Sequence, residues 1–342
     1  MTPEGEQVSA PIMGEAAASR SVDRFRSVPE PDRSEVTESG TTVLVAFGAN
    51  VLVAIAKSVA ALITGSQSLL AEAAHSWADS GNEVFVLVAN RRSRRAPDSS
   101  HPLGYGREAY IWSLFAAMGL FVAGATVSVT HGIQELLNPE PARDFGVGYV
   151  VLGVSFVFEG ASLLQSARQA RHEADSMRRD LIEHVMAASD PTLRAVFAED
   201  SAALIGLVIA AAGLAGQQLA GSPVPDGIGS ILVGLLLAAV AIILIDRNRW
   251  FLVGEEADPG VRHAILQALL EAPEVDRVSY LRLEIVGPRM VSIIGHLQLT
   301  GDDGQPELAV RLRALEARMC ASPAVAGAVL SLSERQEPTL VI

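Results

Sequence analysis

Residues 68–83 read Ser-Leu-Leu-Ala-Glu-Ala-Ala-His-Ser-Trp-Ala-Asp-Ser-Gly-Asn-Glu, which sets an imidazole, His75, and a carboxylate, Asp79, four residues apart in a largely apolar stretch. On an α-helix that spacing puts both side chains on one face. Neutral imidazole nitrogen and carboxylate oxygen are the donors that a borderline-soft, four-coordinate Zn²⁺ accepts. An ionisable group in hydrocarbon costs from about 2.5 kcal/mol upward, so such residues face a helix-bundle interior or a water-filled path. The plainer alternative for His75 is an interhelical hydrogen bond. Asn82 and Glu83, one turn beyond Asp79, are read in that plainer way, with the shaping of an inner gate as the alternative.

The next carboxylates in an apolar run are Glu199 and Asp200, in Val-Phe-Ala-Glu-Asp-Ser-Ala-Ala-Leu-Ile-Gly. His75 lies nine or so residues into its run from one side, about 13 Å at 1.5 Å per residue. Asp200 lies seven or so into its run from the other, about 11 Å. Both depths fall near the middle of a hydrocarbon core about 30 Å thick, the depth at which transporters hold their sites. Lys57 and Glu159 are further charges within apolar runs, read as a structural ion pair with a proton path as the alternative.

The elements that must position these groups are helices. Of the 342 residues 49% are hydrophobic, the mean hydropathy is +0.32, and the apolar residues gather in runs close to the roughly 20 that cross a bilayer. Six spans are expected, at 41–64, 67–90, 109–132, 147–168, 193–216 and 227–246. Arginines crowd the segment before the first span, the second and fourth loops and the residues after the sixth span, whereas the first, third and fifth loops hold one, Arg143. The positive-inside rule then puts both termini in the cytoplasm. Residues 1–40 carry eight carboxylates and four arginines with no apolar run. They read as a disordered tail, unlike a secretory signal or an acid-poor transit peptide, which favours a bacterial cytoplasmic membrane. The net charge of −13 argues against nucleic acid as a partner, and the single cysteine, Cys320, excludes an intrachain disulfide or a cysteine-based metal centre.

After Asp258 the periodicity changes. A helix over 261–270, strands over 277–286 and 290–299, a helix over 306–319 and an apolar strand over 325–332 are expected, with Gly287-Pro288 turning the first strand into the second. That order, αββαβ, suffices for a small α+β domain over 247–332, followed by a loose end over 333–342. His263 and His296 are read as histidines without metal, since Gln298 stands where a second ligand to a metal at His296 is expected.

Taken in order, these pieces resemble the cation diffusion facilitator family from about Asn50 to about Leu332. Asn50, Lys57 and Gly65-Ser66 look like its first span, His75-x-x-x-Asp79 like its metal pair, and His-Pro-Leu-Gly-Tyr-Gly-Arg-Glu at 101–108 like the loop into its third span. Asp-Gly-Ile-Gly-Ser at 226–230 is similar to the start of its sixth span, and the terminal segment to its ferredoxin-like cytoplasmic domain. The resemblance implies a four-ligand site shared by the second and fifth spans, proton-coupled export of Zn²⁺ or a related ion, and a homodimer. The chain departs from the pattern at Val196, where the first ligand of the fifth-span pair is expected. Its Glu-Asp doublet instead resembles a subgroup related to the mitochondrial zinc transporters of animals. The ligand set is therefore His75, Asp79 and Asp200, with Glu199 or water as the fourth. No other cofactor is expected, and Mn²⁺, Fe²⁺, Co²⁺, Ni²⁺ and Cd²⁺ stay open beside Zn²⁺. The rival functions are a non-transporting partner or scaffold of this family and an intramembrane metal-dependent hydrolase, although the His-Glu-x-x-His helix of such enzymes does not occur.

Overall fold

The computed structural model describes residues 40–139, 144–176, 179–301, 304–334 and 336–341. Residues 1–39, and with them nearly all of the expected disordered tail, lie outside that range. Among the described residues six helices have 25 or more residues: α1 (Gly40–Thr64), α2 (Gln67–Ser93), α3 (Glu108–Leu137), α4 (Phe145–Ser176), α6 (Pro191–Ala220) and α7 (Val224–Val253). A short helix, α5 (Leu181–Ala187), interrupts the arginine-rich loop between α4 and α6.

The helices α3, α4, α6 and α7 are long and apolar enough to cross a membrane, and α1 contributes a shorter apolar stretch, Asn50–Thr64. The amphipathic composition of α2 has a physical reason, because it carries Glu72, His75, Asp79 and Glu83 on one helix and ends on Arg91 and Arg92. Its first turn is fixed by Ser66, whose side chain accepts from Leu69 N. At the start of α6, Asp190 accepts from Thr192 N and Pro191 sits at the first helical position, where its missing N–H is no loss.

Two apolar clusters hold the helices together. One joins Ala71 of α2 to Leu120 and Ala125 of α3, Ala202 of α6 and Val233, Leu237 and Ala241 of α7. The other joins Ala61, Leu69, Leu152, Leu207, Ala210 and Leu214. Alanine dominates the first, so helix backbones approach closely, as packing between helices in lipid requires. At Gly132 of α3 a Cβ would stand 2.6 Å from the Gly227 carbonyl oxygen of α7, so only glycine permits that crossing. Within α3 residues Leu120–Thr126 widen into a π-helical turn.

The remaining elements, apart from the last three residues of β1, form a second unit: α8 (Pro259–Leu270), β1 (Val275–Gly287), β2 (Met290–Leu299), α9 (Gln305–Met319) and β3 (Val325–Leu332). The sheet order is β1-β2-β3. Pro288 and Arg289 turn β1 into its neighbour β2, and β2 pairs with β3 in parallel from Val291↔Val325 to Leu297↔Leu332 across the α9 crossover. Alternate residues of β2, Val291, Ile293 and Leu297 among them, face the core.

Two boundaries differ from expectation. The last long helix continues past 246 to Val253, so Arg247 and Arg249 are helical. The closing residues, expected as a loose end, bond to the sheet: Leu340 N donates to Val278 O, and Arg277 donates to the Glu334 and Glu337 carbonyl oxygens. One backbone bond to β1 and the Arg277 guanidinium hold them, and neither composition nor hydropathy signals it.

Candidate metal site

His75 stands in the third turn of α2 and is fully buried. Its Nδ1 lies 3.4 Å from Asp79 Oδ1, as the four-residue spacing requires. That approach lacks hydrogen-bond geometry: neither ring nitrogen of His75 and not Asp79 Oδ1 has a hydrogen-bond partner, although all three atoms are buried. Buried polar atoms are almost always paired, so three orphans on adjacent turns mark a place built for something other than packing. Asp79 is reached by the charges of Glu199, Glu159, Lys57 and Asp200, so the acidic groups of α2, α4 and α6 share one electrostatic neighbourhood.

The α6 doublet divides its two carboxylates between neighbouring helices, because consecutive residues on a helix point about 100° apart. Glu199 turns to α2 and accepts from Asn82 Nδ2 at 2.6 and 2.5 Å through its two oxygens. Asp200 turns to α4 and its Oδ2 accepts from Ser162 Oγ at 2.8 Å. Thus His75 and Asp79 are brought together, while Glu199 and Asp200 are engaged elsewhere. Among the described residues no three His, Cys, Asp or Glu side chains converge closely enough to hold a metal ion. Val196 is half-buried and offers no donor. One turn beyond Asp79, Asn50 of α1 donates to Glu83, so two carboxamide–carboxylate pairs tie α1 and α6 to α2 at that level.

One buried carboxylate is not singled out by sequence. Glu72, one turn before His75, is fully buried and its Oε2 lies 3.2 Å from Lys57 Nζ. Lys57 is also 3.6 Å from Glu159 Oε1 on α4. A carboxylate three residues from His75 in the same apolar run was the available signal. Asp226, at the start of α7, accepts from Ser66 Oγ at 2.9 Å, from Gln67 N at 2.5 Å and from Ser68 through its backbone N and its hydroxyl. It fixes the first turn of α2, and hence the height of His75.

Outside the spans, Asp98 accepts from Tyr105 Oη at 2.6 Å and from the Ser100 and His101 backbone N–H groups. The Tyr105 hydroxyl foremost, then the His101 N–H, hold this carboxyl down at about 2. In the terminal unit His263 is exposed, and the half-buried His296 packs its ring 5.0 Å from that of Tyr280. Gln298 is occupied by Arg277, whose Nε donates to it at 2.8 Å.

Residues 43–248 match the model of the cation efflux transmembrane domain, more than half of the chain. The chain is 39% identical over 223 residues to metal tolerance protein C4 of Arabidopsis thaliana, covering 65% of this chain and 49% of the relative. It is 34% identical over 248 residues to the mitochondrial proton-coupled zinc antiporter SLC30A9 of Homo sapiens, covering 72% of this chain and 44% of the relative. With the cation-efflux pump FieF of Shewanella oneidensis it shares 29% identity over 243 residues, 70% of this chain and 75% of the pump. The chain thus spans about half the length of the plant relative and less than half of the human one.

Proposed function

The chain belongs to the cation efflux family, and from that membership we propose that it exports a divalent metal cation, zinc foremost, in exchange for protons. The observation that carries the reading is the His75–Asp79 pair, whose two ring nitrogens and one carboxylate oxygen are buried and unpartnered. Nitrogen and oxygen donors of this kind suit Zn²⁺, with Mn²⁺, Fe²⁺, Co²⁺, Ni²⁺ and Cd²⁺ as competitors. The proton coupling is taken over from the human relative, which is a proton-coupled zinc antiporter by name.

The proposed ligands are His75, Asp79 and Asp200, and Glu199 or a water completes the four. Asp200 would leave Ser162, and Glu199 would leave Asn82, when α6 closes on α2 around the ion. Imidazole and carboxylate bind metal only when deprotonated, so metal and protons compete for the same atoms. Metal arriving from the arginine-rich side displaces protons there, and protons from the other side reload the site and expel the metal. Exchange of this kind needs alternating access, with the site exposed to one side at a time.

To the four apolar helices this reading adds α1 and α2, giving six spans over 41–246 with both termini on the arginine-rich, cytoplasmic side. The polarity of α2 supports the assignment, since a helix that carries the site must present ionisable groups to its neighbours. The αββαβ order, with β2 central and parallel to β3, supports a ferredoxin-like cytoplasmic domain over 247–332. A homodimer in the membrane is the working unit, on the family resemblance.

The test is zinc uptake by proteoliposomes holding the full chain and a trapped zinc-sensitive dye, under an imposed pH gradient. Uptake that follows the gradient is expected, with competing cations ranking the selectivity. A folded, inserted protein that carries no zinc would favour the partner or scaffold reading that Val196 suggests.

A further inference from the structure

One buried cation lies beside this site and takes no part in the proposed ligand set. Lys57 of α1 is fully buried among charges from two other helices, Glu72 of α2 at 3.2 Å and Glu159 of α4 at 3.6 Å. Glu72 is itself fully buried and only one of its oxygens is engaged: Oε1 has no hydrogen-bond partner. The carboxylate packs where a Cβ on Gly206 of α6 would collide with that same Oε1, so α6 keeps a bare backbone against it. A pair of this kind is a poor stabiliser. Burying two charges costs several kcal/mol each, and an apolar pair of like volume commonly does as well or better.

We propose that Lys57 sets the strength of metal binding for transport, a tethered ammonium whose positive charge limits how tightly the His75–Asp79 site holds a divalent cation. The inference rests on the metal-transport reading above. Its geometric basis is the position of Lys57: it bridges α2 and α4, and Glu72, to which it is bonded, stands one turn from His75 on α2. The field runs the same way, for the Lys57 charge acts on both His75 and Asp79. A cation at the His75–Asp79 pair also lies in the field of Glu159, Glu199 and Asp200. A transported ion has to leave again. One fixed positive charge, repelling a doubly charged ion more strongly than a proton, weakens retention of the metal and favours its exchange.

The physical scale supports a measurable effect. A unit charge within several ångströms of a divalent ion, at the effective dielectric of a partly hydrated interior, changes affinity by at least about tenfold. The sign separates this role from a structural one. Loss of a structural ion pair weakens metal binding by loosening the site, whereas loss of a repelling charge tightens it.

The experiment compares the full-length parent, Lys57→Gln, which removes the positive charge and keeps a donor for Glu72, and Asp79→Asn, each purified and monodisperse. Zn²⁺ affinity is measured by calorimetry at fixed pH, and turnover in proteoliposomes at saturating zinc. Lys57→Gln is expected to bind Zn²⁺ at least about tenfold more tightly and to turn over more slowly. Unchanged or weaker binding in the folded variant overturns the proposal. If Lys57→Gln does not yield folded protein, Lys57→Met is measured with the same two outcomes. Parent protein that binds no Zn²⁺, or binds it as well after Asp79→Asn, overturns the metal-site reading and this proposal together. Parent binding that depends on Asp79 but does not tighten without Lys57 overturns this proposal alone.

Discussion

Two buried or nearly buried aspartates border the same helix, and their surroundings are opposite. Asp226 meets the N-terminus of α2, where it accepts from the Gln67 and Ser68 N–H groups and from the Ser66 and Ser68 hydroxyls. A carboxylate there is favoured by the free N–H groups and by the helix dipole, and nothing about it is left unsatisfied. Asp79, midway along α2, has one oxygen with no partner and a histidine beside it in the same condition. Satisfaction, more than burial, separates the carboxylate that builds the helix end from the one proposed as a ligand.

The largest effect that sharpens this contrast is on Asp79. Asp79→Asn is expected to cut zinc flux in proteoliposomes at least about 100-fold, more than the loss of an outer-shell partner of a metal ligand causes. Its thermal midpoint in detergent should stay level or rise, because no hydrogen bond is lost at Oδ1. A fall in stability as large as that of an Asp226 variant would erase the distinction.

Asp226→Ala should behave in the reverse way. Several donors lose a charged acceptor, so about 3 kcal/mol of stability is lost. That corresponds to a fall in thermal midpoint of about 6–12 °C for the helical unit, residues 36–255, melting by itself. Zinc affinity of the remaining folded protein should change little, since Asp226 touches the end of α2 and not its middle.

A smaller effect is expected at Ser162→Ala, which removes the donor that holds Asp200 toward α4. One neutral-to-charged hydrogen bond of modest worth predicts a change of about two- to tenfold in apparent zinc affinity, read as the concentration dependence of uptake. No change would mean that the orientation of Asp200 does not matter to the site.

The smallest effect lies outside the membrane. The Asp98 carboxyl is held at about 2, below its ordinary value, by Tyr105 and the loop N–H groups. A depressed folded value means that the turn's stabilisation is fully present above the ordinary carboxylate range, about 3.9, and is lost as pH falls through about 2. Tyr105→Phe should move the Asp98 carboxyl titration, followed by carbon NMR of labelled aspartate, upward toward that ordinary range.

Much of this was legible in the sequence because hydropathy and helix periodicity act over long stretches. The six long helices, the strands Met290–Leu299 and Val325–Leu332 and the facing of His75 and Asp79 all follow from local spacing. What local spacing does not contain is which helix lies beside which. Lys57 and Glu159 are visible as charges in apolar runs, but Glu72, which shares Lys57 with Glu159, is found only when α1, α2 and α4 are packed. Asp226 reads as part of the start of the sixth span, while its bond to Ser66 spans 160 positions of chain. The Glu199–Asp200 doublet is plain in sequence, yet that its members turn to Asn82 and Ser162 depends on which helices flank α6.

Whether the unpartnered pair on α2 carries an ion is decided by zinc uptake under a pH gradient in proteoliposomes containing His75→Ala, compared with parent protein at equal inserted amounts. His75→Ala is expected to insert and fold normally while its uptake falls to the level of protein-free vesicles. Parental uptake by a folded His75→Ala variant would contradict that role.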